Sequence, residues 1–227
     1  MKILFISDNF PPETNAAATR VYERACYWVK WGHDVTIITG VPNFPHGRVF
    51  EGYENRFQTE VMDGMRIVRV KTYIAPNRGK IRRAFDFLSF RINALRAAKK
   101  EPRPDIICAT SPQPGAALAG LDAAKDHDIP FVFELGDLWP ASISAVGAMG
   151  KSFLYRQMER QELTMYRKSD AIVALTGAFK KDLIRRNIDG EKIAVVINGV
   201  DTWRYGPEDR NIELANELGL TDEFVVG

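Results

Sequence analysis

Short runs of apolar, mostly β-branched residues recur along this chain with helical stretches between them. Lys2 to Ser7, Val35 to Thr39, Arg66 to Val70, Asp105 to Ala109, Phe131 to Glu134, Ala171 to Leu175 and Ile193 to Ile197 read as strands, with an extra strand near Thr59 to Met62. Nearly continuous apolar strands suit a parallel sheet covered on both faces. Helical periodicity fills Thr19 to Trp31, Ile81 to Lys100, Ala116 to His127, Phe153 to Lys168 and Gly177 to Asn187. Strand–helix alternation with right-handed crossovers predicts an α/β, Rossmann-like, doubly wound sheet. Pro and Gly gather in the loops after strands: Phe10-Pro11-Pro12, Gly40 to Gly47, Ser111 to Gly115, and Gly136 to Pro140. Ligands of such sheets bind outside the carboxyl ends of strands, near the switch point. The loops after the first strand and after Ala109 should flank it.

The 227 residues suffice for one large α/β domain, and a net charge of +2 gives no bulk case for nucleic acid. No apolar run approaches the ~18 residues of a membrane span. The opening run turns polar at Ser7-Asp8, too early for a signal-peptide core. A cytoplasmic protein is expected, with peripheral attachment to the inner face of the membrane open. Cys26 and Cys108 lack partners at metal-ligand spacing and read as buried thiols. The three histidines are too dispersed for a metal site, and no metal or cofactor is expected.

Residues 78–100 hold Arg78, Lys80, Arg82, Arg83, Arg91, Arg96, Lys99 and Lys100 against one acid, Asp86. Ile81, Phe85, Leu88, Ile92 and Leu95 fall on one helical stripe that should face the sheet. Phe87 and Phe90 would then lie on the flanks among the basic residues. This suits contact of Arg82, Arg83, Phe87, Phe90 and Arg91 with an anionic bilayer; the alternative is a core helix with a solvated basic face.

Several polar residues stand in the strand-end loops. Asp137 is a reacting-centre contact or a helix cap; Glu134 is a base or a buried partner of an arginine. His46 is a ligand contact or a plain loop residue. His33 caps the first helix and His127 ends another. Ser111 and Thr176 bond phosphate or sugar, or cap helices. No Gly-x-Ser-x-Gly or Gly-x-Gly-x-x-Gly occurs where a hydrolase or a dinucleotide-binding dehydrogenase would need it.

The order of features resembles glycosyltransferase family 4. The first strand with its Pro-Pro loop, Gly32-His33-Asp34-Val35, Asp170 to Thr176 and Asn198-Gly199-Val200-Asp201 carry the resemblance. Val41 to Arg48 with Gly52-Tyr53, and Asp137-Leu138-Trp139-Pro140, are similar to the WbuB-like branch, amino-sugar transferases of surface-polysaccharide assembly. The resemblance implies the N-terminal half of a GT-B fold, a UDP-sugar donor, transfer with retention and no metal. It also implies a polyprenyl-linked acceptor. Pro12, Asn15, Ala16, Ala17, Arg20, Asn43, His46, Ser111 and Thr176 become candidate substrate contacts, and Asp137 and Glu134 candidate catalytic groups. Asn15-Ala16-Ala17-Ala18 stands where the family has Gly-Gly, and Asn15 either contacts substrate or only caps the helix. Many members place a donor-contacting histidine after the strand that is Phe131 to Glu134 here; this chain has Gly136-Asp137. An aspartate can accept hydrogen bonds from sugar hydroxyls, and a 6-deoxy sugar would not need the histidine.

The family's paired glutamates, eight positions apart, do not occur here. The expected organisation is an acceptor-side domain over 1–201, then a linker helix (Pro207 to Leu218) and the first strand (Glu223 to Gly227) of a nucleotide-sugar-binding domain over 202–227. The fragment alone is expected to be inactive. The expected function is transfer of an N-acetylated 6-deoxy amino sugar to a polyprenyl-diphosphate-linked glycan in O-antigen or capsule assembly. The expected partners are the nucleotide-sugar donor, the lipid-linked acceptor and an anionic membrane surface, with no nucleic acid. A GT-B-like sugar-nucleotide epimerase and a non-catalytic membrane-surface domain are the competing readings.

Overall fold

The computed structural model describes residues 1–74, 80–111, 113–138, 141, 152–200, 202 and 205–225. Arg78, Pro112, Trp139, Pro140, Asp201, Val226 and Gly227, singled out above, lie outside the described residues, as do the side chains of Lys80, Ile81 and Arg83.

The strands are β1 (Lys2–Ile6), β2 (Asp34–Gly40), β3 (Gln58–Met62), β4 (Met65–Val70), β5 (Ile106–Thr110), β6 (Phe131–Leu135), β7 (Ala171–Ala174) and β8 (Ile193–Val195). The helices are α1 (Ala16–Lys30), α2 (Lys80–Ala98), α3 (Pro114–His127), α4 (Phe153–Lys168), α5 (Gly177–Arg185) and α6 (Ile212–Glu217). Among the described residues the strands form one 8-stranded sheet in the order β3-β4-β2-β1-β5-β6-β7-β8. All pairings are parallel except β3 with β4. That hairpin turns at Asp63-Gly64, both with positive φ, the pair a tight two-residue connection requires. The doubly wound α/β fold is therefore the observed one. β1 lies between β2 and β5, so the switch point sits beside its carboxyl end.

Alternate residues of the strands serve two cores. Ile3, Phe5, Val35, Ile37 and Ile67 face α1 through Val21 and Ala25. Leu4, Ile6, Ile38, Val68 and Ile107 face the other way, in the core that holds buried residues of α2, α3, α4 and α5. Asn15 starts α1 by accepting a hydrogen bond from Ala18 N at 3.0 Å. Just past α1, Gly32 with a φ of +82° lets His33 N donate back to Trp28 O at 3.0 Å. His33 thus caps through its backbone.

The structure reverses the expected faces of α2. Phe90, Ala94 and Ala98 are fully buried and Ala97 nearly so. Phe85, Leu88 and Ile92 are 57%, 50% and 40% exposed. Phe90 therefore cannot meet a membrane; of the described stripe residues, Leu95 packs against the core as expected while Phe85, Leu88 and Ile92 face away from it. The cause is α3, whose buried residues are Gly115, Ala116, Ala117, Ala119, Gly120, Ala123 and Ala124. A helix this smooth admits a close neighbour. A β-carbon on Gly115 would lie 2.5 Å from the Phe87 carbonyl oxygen of α2, and one on Gly120 would lie 2.7 Å from the Phe131 ring. The alanine face of α2 fits that distance; the Phe85–Leu88–Ile92 face does not.

Three smaller expectations also change. Cys26 is half-buried rather than buried, while Cys108 is buried as expected. The linker helix is shorter than Pro207 to Leu218, and Glu223–Val225 is not a strand. Residues Met1–Ile197 form one compact unit and Asn198–Gly227 a second.

Truncating the two phenylalanines of α2 distinguishes its faces. Phe90→Ala should cost about 3–5 kcal/mol of unfolding free energy in urea, and Phe85→Ala no more than about 0.5 kcal/mol. Equal losses would mean that the helix is rotated from the orientation described.

Candidate functional site

The loops at the carboxyl ends of β1 and β2 are held by buried ions. Glu13, 3% exposed, accepts from Asn43 N at 2.7 Å and Phe44 N at 2.8 Å through Oε1, and from Asn9 Nδ2 at 2.8 Å through Oε2. One carboxylate so ties the Pro-Pro loop to the Val41–Tyr53 loop. Arg69, near the end of β4 and fully buried, ties the same region from below. Its guanidinium pairs with Glu60 at 2.6 Å and donates to Gly40 O at 3.3 Å and Pro11 O at 2.6 Å. Its Cζ stands 4.8 Å from the centre of the Tyr53 ring.

Between these anchors lies Asp8, just past β1. Its carbonyl accepts from Gly40 N and Thr39 Oγ1, both at 3.2 Å. Burial first, then repulsion from Asp86 and Glu13, holds its carboxyl well above the usual carboxylate range. Sequence reasoning missed Asp8, Glu13 and Arg69. A carboxyl directly after the first strand of a doubly wound sheet was the available signal for Asp8.

A second cluster lies across β1. Arg20 projects from α1 to the ends of β5 and β6, where its Nη2 donates to Thr110 Oγ1 at 3.1 Å. Gly136 makes room for it, since a β-carbon there would lie 2.5 Å from that nitrogen. Burial lowers the Arg20 pKa, against the opposing pull of Glu134. Glu134, 6% exposed, pairs with Arg24 Nη2 at 2.6 Å. Arg24 in turn stands over the Phe5 and Trp28 rings. Burial raises the Glu134 pKa, and Arg24 and then Arg20 oppose that rise. Of its two expected roles, Glu134 has the geometry of the buried arginine partner.

Ser111 Oγ accepts from Gly136 N at 2.8 Å and Asp137 N at 3.1 Å. It therefore shapes the loop that carries Asp137, which is itself half-buried. A cavity of about 20 Å³ beneath this loop is lined by Ser111, Gln113, Phe133, Asp137, Met165 and Tyr166 among others. Gln113 Oε1 caps α3 by accepting from Ala116 N at 2.8 Å.

The remaining candidates divide by place. Pro12 and Ala16 are exposed, with Asn15 and Ala17 half-buried beside them. They form the rim next to Arg20. Asn43 Nδ2 turns inward to Val41 O at 2.9 Å, while His46 is exposed in the same loop. Thr176 is the N-cap of α5, accepting from Phe179 N at 3.1 Å. Arg82 is exposed, and Arg91 pairs with Asp122 at 2.7 Å. His127 ends α3. Among the described residues no group of three or more His, Cys, Asp or Glu could hold a metal ion, and no helix is long and apolar enough to cross a membrane.

The raised Asp8 carboxyl couples to stability. A folded pKa above the unfolded value, about 3.9, adds stability that is complete below the unfolded value. That contribution disappears as pH rises through the folded value. Asp8→Asn should remove it. The variant should gain on the wild type as pH rises from the ordinary carboxylate range, by about 1.4 kcal/mol per pH unit of displacement. Urea unfolding across that range measures the difference, and parallel curves would place the Asp8 carboxyl in an ordinary environment.

Residues 15–199 match the model of the glycosyl transferase 4-like domain. HepE from Anabaena, solved in complex with UDP-glucose, is similar over 98% of this chain and 50% of its own, with a TM-score of 0.61 and 15% identity. Sucrose-phosphate synthase from Thermosynechococcus elongatus is similar over 96% of this chain and 52% of its own, with a TM-score of 0.66 and 13% identity. The chain thus spans about half the length of these structures. A search of curated proteins found no match. At such identities the structures show a shared fold, and the family match shows descent: the chain belongs to the glycosyl transferase 4-like family.

Proposed function

We propose that this chain is the acceptor-side domain of a retaining glycosyltransferase that moves a sugar from a UDP donor to a polyprenyl-diphosphate-linked glycan. The observation that carries the reading is the place of Arg20. Its guanidinium stands at the carboxyl ends of β5 and β6, beside a glycine that leaves it room. Sugar transfer from a nucleotide develops charge on the leaving diphosphate and positive character at the anomeric carbon. A fixed cation at the switch point suits the first, and the Asp137 carboxylate suits the second. The UDP-glucose complex of HepE supports a UDP-sugar donor.

Positioning supplies the rest. The acceptor lies over the rim of Pro12, Asn15, Ala16 and Ala17 and against the Asn43–His46 loop, which Glu13 holds in register. Ser111 sets the Asp137 loop through two backbone hydrogen bonds. Thr176 acts as a helix cap in this reading. Asp137, in place of the usual histidine, favours an N-acetylated 6-deoxy amino sugar, in keeping with the WbuB-like branch and O-antigen or capsule assembly. Residues 1–201 form the acceptor-side domain and 202–227 lead into a nucleotide-sugar-binding domain. This chain alone is then inactive, because the paired glutamates belong to that other domain. The enzyme works peripherally, at the inner face of the cytoplasmic membrane, without a metal.

The test uses the full-length protein with polyprenyl-diphosphate glycans in vesicles and a panel of UDP-sugars, reading glycosylated lipid. One UDP-amino sugar should be transferred. Asp137→Ala and Arg20→Ala should each reduce turnover about 10²- to 10³-fold, with Arg20→Lys partly restoring it. Absence of transfer from every donor by a folded protein would overturn the reading.

A further inference from the structure

The outward face of α2 has no counterpart in the site described above. Phe85, Leu88 and Ile92 follow one another at helical spacing and are 57%, 50% and 40% exposed. Tyr73, 46% exposed, extends the row off the helix, its ring 6.1 Å from that of Phe85. Isolated exposed apolar residues are ordinary, but a contiguous row of large ones marks a contact surface. The row is basic at its borders. Arg82 and Arg96 are exposed on one side of it, and Lys71 is exposed just before Tyr73. The helix as a whole carries Lys80, Arg82, Arg83, Arg91 and Arg96 against Asp86 alone. Asp86 itself is half-buried, unlike the exposed Phe85, Leu88 and Ile92.

The face is also firmly mounted. Tyr73 N donates to Ser89 Oγ at 2.7 Å, Asn93 Nδ2 donates to Lys71 O at 2.8 Å, and Arg91 pairs with Asp122 of α3 at 2.7 Å. The opposite side of α2 is closed against α3 through Phe87 and Gly115. A helix fixed in this way cannot rotate to hide its large side chains.

We infer that the Tyr73–Phe85–Leu88–Ile92 row is a docking face for an anionic lipid bilayer. Charge complementarity selects this occupant. Apolar side chains in a row sink into the boundary between headgroups and acyl chains, while flanking arginines meet lipid phosphates. A nucleic acid would use the arginines but leave the apolar row in water. The direction also fits: a β-carbon on Gly40, at the end of β2, would lie 3.9 Å from Thr72, and the next residue, Tyr73, is hydrogen-bonded to Ser89 of α2, so this part of the helix stands beside the strand-end loops. A lipid-linked acceptor would therefore arrive along the surface on which the protein rests. The motive for docking rests on the proposed lipid acceptor, but docking itself does not require catalysis.

Vesicle co-sedimentation without donor or acceptor tests docking apart from transfer. The 227-residue chain should bind vesicles of phosphatidylcholine mixed with phosphatidylglycerol, and bind phosphatidylcholine alone far less. The combined variant Phe85→Ser, Leu88→Ser, Ile92→Ser should weaken binding about 10- to 100-fold. Arg82→Glu with Arg96→Glu should weaken it about tenfold or more, as should raised salt. Trp31→Ser with Phe57→Ser, equally exposed elsewhere, should leave it unchanged. Circular dichroism checks folding, and Leu88→Ser alone replaces the combined variant if that fails to fold. The proposal is overturned if the wild type ignores the mixed vesicles, or if the α2 variants bind as the wild type does. It is equally overturned if the wild type is a dimer that the α2 variant converts to monomer, because the face would then cover a second copy.

Discussion

A fully buried guanidinium needs its donors answered, and Arg69 imposes that need on four separate segments. It draws Glu60 from β3, the Gly40 carbonyl from the end of β2, the Pro11 carbonyl from the loop after β1, and the Tyr53 ring. Removing one partner of such a group is far costlier than the net value of the contact suggests. The loops on this side of the switch point are therefore held by charge. Glu13 extends the same logic, because its carboxylate answers two backbone amides of the next loop and the Asn9 side chain. Irregular Pro- and Gly-rich segments become a defined surface in this way.

The sheet was legible because its signal is local. β-branched runs such as Val35 to Thr39 admit few other structures, and the loops after them contain the candidate site. Charged pins were not legible, since Glu13 and Arg69 resemble solvated residues until strands distant in sequence are paired. The faces of α2 were misread for a different reason. Phe90, Ala94 and Ala97 satisfy helical spacing as well as Phe85, Leu88 and Ile92 do, and periodicity cannot rank the two rows. The deciding information lies in α3, whose glycines and alanines accept only a smooth neighbour. Of the strand expected over Glu223 to Gly227, the described part, Glu223–Val225, forms no strand.

The two sides of the switch point differ in character. On the β2 side, burial and the neighbouring Asp86 and Glu13 hold the Asp8 carboxyl toward its protonated form, and Arg69 is the buried cation. On the β6 side, Arg20 and Arg24 stand against the buried carboxyl of Glu134, with Asp137 on the loop just beyond. Arg24 is also a structural link, since its contact with Phe5 and Trp28 connects the core under α1 to the site.

Gly136 shows how far a missing side chain reaches. It lies on the loop after β6, while the atom it accommodates belongs to α1, more than a hundred residues earlier. Positions 20 and 136 therefore share one volume. A lineage that gained a side chain at 136 would have to shorten or redirect residue 20, and one that lost the arginine would be free to fill the glycine. The two positions should drift together, so the history of this guanidinium would be written as a paired substitution pattern between two segments remote in sequence.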